Sequence, residues 1–130
     1  MKNRRTGSVA AVAGVLAVAS LVAAPGTQAA TASCPLNQLC VWQNASFSGG
    51  KATWFSGDTA PLLSGMTYSN GASLNNSISS VYNNTSRIAY LYLGSSCTGT
   101  VELVPHNTTV PQVTFNDQIS SLSISGSSSC

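Results

Sequence analysis

Short runs of aliphatic and aromatic residues recur along most of the chain, separated by polar segments rich in Gly, Ser, Thr and Asn. The runs predict strands at 39–43, 52–55, 81–82, 88–93, 100–104 and 122–124. Beyond residue 33, no stretch shows the spacing of an amphipathic helix. Short, regularly spaced strands with turn residues between them are typical of a sandwich or barrel. We therefore predict an all-β fold.

The N-terminal residues follow a different pattern. Three basic residues lie within the first five, and an uncharged run rich in Ala, Val and Leu extends over 8–24. Pro25 ends this run, and small residues follow it. That order is typical of a secretory signal peptide, whereas a membrane anchor, the alternative, needs an apolar run of about 20 residues. We predict a signal peptide at 1–32 and a single secreted, extracellular domain at 33–130, with no membrane association after cleavage.

Two segments of the predicted domain occur twice, in the same order. Segment 42–49 contains an aromatic residue, a second aromatic five positions later, and a Gly at its end; 92–99 repeats it with Cys97 at the second aromatic position. Segment 75–80 reads Asn-Asn-Ser-Ile-Ser-Ser, and 116–121 reads Asn-Asp-Gln-Ile-Ser-Ser. Two such halves, with about four strands each, predict two packed Greek keys. The first Greek key is predicted at about 39–84 and the second at about 87–125, followed by a C-terminal tail at 126–130.

The predicted domain carries few charges. Its two basic and three acidic residues give a net charge of −1 and are Lys51, Arg87, Asp58, Glu102 and Asp117. No basic patch is available to meet phosphates, so we expect no nucleic-acid partner. His106 is the only histidine, and the sequence has no nucleophile elbow and no phosphate-binding loop. A triad assembled from distant residues is the alternative, but we expect no enzymatic activity.

All four cysteines lie in the predicted domain, at positions 34, 40, 97 and 130. An even number of cysteines in an exported chain predicts disulfides, and four cysteines allow three pairings. Cys34 and Cys40 are close in sequence and flank a turn that contains Pro35, so they can close a short ring. Cys97 then pairs with Cys130 by elimination. We expect both disulfides to be structural.

The repeated segments resemble the Greek-key motif of the βγ-crystallins. The resemblance covers 41–125 and implies a βγ-crystallin-like β-sandwich in which the two Asn-rich segments cross over and bind Ca²⁺. The residues that it nominates as ligands are Asn75, Asn76, Ser77, Ser79, Asn116, Asp117, Gln118 and Ser120. Only one of these is charged, so we expect weak affinity, with a Kd of ~10⁻⁴ M or poorer. The alternative is that these Asn and Ser side chains only shape turns.

The start of the predicted domain resembles the opening of peptidase inhibitor family 36. The residues concerned are 34–42, Cys-Pro-Leu-Asn-Gln-Leu-Cys-Val-Trp, followed by Phe47 and Gly49. The resemblance implies a secreted, proteinaceous inhibitor of extracellular metalloproteases such as the thermolysin-like enzymes. The second short cysteine ring of the characterised inhibitors has no counterpart around Cys97, so no reactive site carries over.

Function therefore has more than one interpretation at this stage. The first is a peptidase inhibitor that acts as a monomer and presents an exposed loop, at 58–75 or at 105–111, to a secreted protease. The second is a calcium-binding or structural crystallin module without a protease target. A secreted toxin on the same fold is the third.

Overall fold

A computed structural model describes residues 32–130, which form eight strands and no helix. The strands are β1 (Gln38–Asn44), β2 (Ser48–Phe55), β3 (Thr59–Ala60), β4 (Ser80–Asn84), β5 (Ala89–Tyr92), β6 (Val101–Val104), β7 (Thr108–Val110) and β8 (Ser121–Ser123). The predicted signal peptide lies outside the described residues, apart from Ala32. No helix in the described range is long and apolar enough to cross a membrane.

The strands form two antiparallel sheets of four. The first has the order β2-β1-β4-β7 and the second has the order β3-β8-β5-β6. Each half of the chain contributes three of its four strands to one sheet and the remaining strand to the other. β3 of the first half pairs with β8, and β7 of the second half pairs with β4. The predicted all-β fold of two Greek keys is confirmed, and the two keys are joined by this exchange of strands.

The repeat in the sequence is also a repeat in the backbone. Phe47, in the turn between β1 and β2, has a left-handed φ of 59°, and Gly49, the second residue of β2, has one of 79°. The turn between β5 and β6 has nearly the same angles at Cys97, 54°, and at Gly99, 80°. A left-handed φ is uncommon for residues other than glycine, so the match shows that both turns fold back in the same specific way.

The two turns are stabilised differently. In the first, the rings of Trp42 and Phe47 meet edge to face with their centroids 5.3 Å apart. In the second, Cys97 occupies the position of Phe47 and is bonded to Cys130. The second half thus replaces an aromatic contact by a covalent link to the C-terminal tail.

The hydrophobic core lies between the sheets and draws on both halves. Its fully buried large aliphatic side chains are Leu39, Leu63, Leu74, Ile78, Leu91, Ile119, Leu122 and Ile124. Burying a side chain of this size contributes about 1.5–3 kcal/mol relative to leaving it exposed. Five of these residues (Leu63, Leu74, Ile78, Ile119 and Ile124) come from segments outside the strands, so the connecting segments also belong to the core.

Two disulfides lie toward the ends of the described chain. One joins Cys34 to Cys40 at the start of β1, and the other joins Cys97 to Cys130. The second draws the Ser-rich tail across the outer face of the second sheet, where the Tyr92 hydroxyl donates a hydrogen bond of 2.6 Å to the Ser128 carbonyl. Tyr92 is consequently only 4% exposed.

Candidate functional site

The two Asn-rich segments lie side by side at the entrances to β4 and β8, and we call residues 75–80 and 116–121 the paired loops. Each contains one residue in the left-handed conformation, Asn76 with φ of 54° and Asp117 with φ of 58°. Asn and Asp adopt this conformation more readily than other residues with a side chain. The repeated Asn-Asn and Asn-Asp pairs therefore set the same bend in both loops.

The backbones of the paired loops are joined by two reciprocal hydrogen bonds. The Asn76 amide donates to the Ile119 carbonyl at 3.0 Å, and the Asp117 amide donates to the Ile78 carbonyl at 3.1 Å. These positions correspond to each other in the repeat. The loops thus cross with approximate twofold symmetry, as the crystallin resemblance implies.

Side chains cross between the loops in the same reciprocal way. The Ser120 hydroxyl donates to Asn76 Oδ1 at 2.9 Å, and Ser79 Oγ lies 3.3 Å from Asp117 Oδ1. Ser79 Oγ also lies 2.8 Å from the Gln43 carbonyl, the shorter of its two contacts. Four of the eight nominated ligands are therefore brought together in two pairs.

The other nominated ligands have mixed surroundings. Ser77 uses its hydroxyl within its own half, 2.6 Å from the Ser73 carbonyl and 3.1 Å from the Tyr68 hydroxyl. Gln118 is exposed and Asn75 is half-buried. Within residues 32–130, the backbone carbonyls of Ser77 and Gln118 accept no hydrogen bond. Backbone carbonyls are among the oxygen ligands that Ca²⁺ accepts.

Asn116 has an unsatisfied oxygen. Its Oδ1 is buried and has no hydrogen-bond partner among the described residues, while its Nδ2 donates to Asp117 Oδ2 at 3.0 Å. A buried acceptor without a partner costs about 1–3 kcal/mol. An oxygen of this kind, next to a carboxylate, fits the neutral part of a calcium ligand set.

The charge at the paired loops is low. Asp117 is the only carboxylate of the two loops, and the described residues contain no group of three or more His, Cys, Asp or Glu side chains able to hold a metal. A cation here would depend mainly on amide, hydroxyl and backbone oxygens. Such a donor set suits Ca²⁺ at low affinity and does not suit Zn²⁺.

The last serine of each loop has a role that the sequence did not reveal. Ser80 Oγ accepts the Phe47 amide at 3.0 Å and donates to a carbonyl across the first turn at 2.7 Å. Ser121 Oγ accepts the Cys97 amide at 3.0 Å and donates to the equivalent carbonyl at 2.6 Å. Each serine thus fastens a folded turn to its loop. The repeated second Ser was the available signal.

The two loops considered for inhibition are shorter than expected, because each contains a strand. β3 lies within 58–75, where Thr67 and Ser73 also form an isolated bridge, and β7 lies within 105–111. In the second loop the Pro111 carbonyl accepts the Ser46 amide at 2.8 Å. Both segments are therefore held against the sheets.

Comparison with known proteins places these features in a wider context. The model of peptidase inhibitor family I36 matches residues 27–104, which is more than half of the chain. A search of curated proteins finds no significant match.

Solved structures with a similar fold are βγ-crystallin domains. One concerns the evolution of the eye-lens βγ-crystallin domain fold, with 18% identity, a TM-score of 0.59, and coverage of 71% of this chain and 89% of that chain. A domain from Flavobacterium johnsoniae has 23% identity, a TM-score of 0.53, and coverage of 65% and 90%. A domain of the Abundant Perithecial Protein of Neurospora crassa, in its Ca²⁺-bound form, has 19% identity, a TM-score of 0.56, and coverage of 70% and 90%. The βγ-crystallin-like fold is confirmed.

Proposed function

Because the chain belongs to peptidase inhibitor family I36, we propose that it is a secreted protein that inhibits extracellular proteases, and metalloproteases in particular. The family match over 27–104 is the observation that carries this proposal. The proposed mature protein is the domain at 33–130, acting as a monomer with a protease as its partner.

The structure of the domain supports this role in physical terms. The eight strands, the two disulfides and the exchanged strands hold the connecting segments in place before any partner binds. A preorganised surface gives up little conformational entropy on binding, and a constrained segment is a poor substrate for the protease that it meets. Rigid presentation is what a proteinaceous inhibitor requires.

Titration of fixed amounts of protease with the purified domain tests the proposal. We expect the residual activity of a thermolysin-like zinc protease to fall linearly and to reach its minimum near equimolar ratio. Domain that has been reduced, alkylated and unfolded is the control and should be digested. Unchanged activity of every metallo- and serine protease in a panel, with the domain folded, would contradict the proposal.

A second candidate function is weak calcium binding at the paired loops. The unsatisfied Oδ1 of Asn116, beside the only carboxylate of the loops, favours it. Asn76, Asp117, Ser79 and Ser120 would contribute oxygens, and the Ca²⁺-bound domain from Neurospora crassa shows that a protein of this fold can hold the ion. In this candidate function the domain is a calcium-binding crystallin module, alone or in addition to inhibition.

Thermal unfolding with added salt tests calcium binding. A ligand at ten times its Kd stabilises the folded state by about 1.4 kcal/mol, which corresponds to a rise in Tm of roughly 5 °C or more for a domain of this size. We expect such a rise with millimolar CaCl₂, and a much smaller one for Asp117→Ala. Equal curves for the wild type with CaCl₂ and with NaCl of matched ionic strength would show that the loops are structural turns.

A further inference from the structure

One exposed aliphatic side chain lies on a piece of backbone that is hydrogen-bonded on both sides. Leu62 lies two residues after the end of β3 and is 54% exposed, whereas its neighbour Leu63 is completely buried in the core. Pro61 precedes Leu62, and the proline ring fixes the φ angle of Pro61 near −65°. The segment 61–63 therefore places one leucine in solvent and the next in the core.

The backbone is held on both sides of Leu62. On one side, the Pro61 carbonyl accepts the Ser96 amide at 2.6 Å. On the other, the Leu63 amide donates to the Ser120 carbonyl at 3.0 Å. These partners belong to the turn between β5 and β6 and to the second of the paired loops.

The partners of this segment are themselves fixed. Ser96 precedes Cys97, whose sulfur is bonded to Cys130 and whose amide donates to Ser121 Oγ at 3.0 Å. Ser120 is fixed by the contacts between the paired loops, because its hydroxyl donates to Asn76 Oδ1 and the carbonyl of the preceding Ile119 accepts the Asn76 amide. The main chain around Leu62 is consequently anchored to the most cross-linked region of the second half.

We propose that Leu62 is the anchor side chain of the inhibitory surface, and that it enters the apolar specificity pocket of an endopeptidase that cleaves beside bulky aliphatic residues. The inference rests on the proposed inhibitory function. An aliphatic side chain on a fixed backbone can fill such a pocket without the ordering cost that a flexible peptide incurs. A pocket with a buried carboxylate, as in trypsin, does not accept it.

The same contacts explain why the segment resists hydrolysis. If the protease cut the peptide bond on either side of Leu62, the new chain ends would stay in place, held by the hydrogen bonds of Pro61 and Leu63 and by the buried Leu63 side chain. The bound protease could then rejoin the ends by the reverse of hydrolysis, in which the amine of the new N-terminus attacks the new carboxyl carbon and a water molecule leaves; this reversal is favoured when the reacting groups are held together. Leu62 is thus presented to the protease without acting as an ordinary substrate.

A matched pair of variants tests the inference. Leu62→Asp places a charge where the pocket is apolar, and Leu103→Asp makes the same change at a leucine that is 53% exposed on β6, at the opposite edge of the same sheet. With thermolysin as the probe, we expect the inhibition constant to rise at least about 30-fold for Leu62→Asp, the loss typical of a binding anchor. For Leu103→Asp we expect a change below about twofold, because exposed residues outside an anchor contribute little.

Each outcome has a defined meaning. Wild-type domain that inhibits no protease of the metallo- and serine-protease panel overturns the proposed function and this inference together. Wild-type domain that inhibits, with Leu62→Asp equally potent or with both variants equally weakened, overturns the inference alone. Thermal unfolding of each variant verifies the fold, and Leu62→Ala replaces Leu62→Asp if the latter unfolds, with a loss of at least about tenfold expected.

Discussion

At the scale of single residues, hydroxyl and amide groups make the connections that ion pairs make in more highly charged proteins. Asn83 is fully buried and fully used, since its Nδ2 donates to the carbonyls of Arg87 and Val104 and its Oδ1 accepts from Thr85. Asn116 has no such set of partners for its Oδ1 within the described residues. Because buried polar groups in folded proteins normally have hydrogen-bond partners, as Asn83 has, the unpartnered Oδ1 of Asn116 favours a ligand at this position.

Tyr68 provides a prediction about pH. Burial raises the pKa of the Tyr68 hydroxyl above its ordinary value of 10.0, and the nearby charge of Asp117 raises this pKa further, against the opposite effect of the Ser77 hydrogen bond. The folded state therefore holds the proton more tightly than the unfolded state. Stability from this group is complete below about pH 10 and is lost as the pH rises through the raised pKa.

We expect the Tm of the wild type to fall above about pH 10, and the Tm of Tyr68→Phe to fall less steeply over the same range. The measurement is thermal unfolding at a series of alkaline pH values with both disulfides intact. Parallel curves for the two proteins would contradict the assignment to Tyr68.

At the scale of strands and loops, the sequence predicts those elements that contain a run of apolar side chains. The apolar run within 39–43 locates β1, which the structure extends by one residue at each end to Gln38–Asn44. β3 and β7 contain only two and three residues, Thr-Ala and Thr-Thr-Val, and neither includes a run of apolar side chains. They form strands because they pair with β8 and β4, whose residues lie far from them in the sequence.

The candidate site likewise combines features that the local sequence predicts with features that depend on distant contacts. The paired loops are visible in the sequence because the repeat is local, although their crossing follows from the exchange of strands. In contrast, Leu62 and Leu63 look equivalent as adjacent leucines, yet one is 54% exposed and the other is completely buried. The Ser96 amide, which donates to the Pro61 carbonyl, and the Ser120 carbonyl, which accepts the Leu63 amide, hold the segment in the orientation in which Leu62 faces solvent.

At the scale of the whole molecule, the two disulfides differ in the length of chain that they close. The Cys34–Cys40 bond spans a sequence separation of 6, and the Cys97–Cys130 bond spans 33. Restricting the unfolded chain contributes about 2 kcal/mol for a ring of the first size and about 4 kcal/mol for one of the second. The longer ring also holds the turn against which the Leu62 segment is fixed.

Paired Cys→Ser variants test this difference. We expect Cys97→Ser/Cys130→Ser to lower Tm about twice as far as Cys34→Ser/Cys40→Ser, since the larger ring restricts the unfolded chain more. We also expect only the former to weaken inhibition of thermolysin at a temperature where both variants are folded. A larger loss of stability from the short ring, or equal inhibition by both variants, would contradict this account.

The exchange of β3 and β7 between the sheets also governs the order in which the chain can fold. Neither sheet is complete until strands from both halves are available, because the first needs β7 and the second needs β3. Topologies dominated by such distant pairings have high contact order and fold in milliseconds to seconds. A chain that emerges N-terminus first, from a ribosome or from a pore, would therefore stay open until its last strands had appeared.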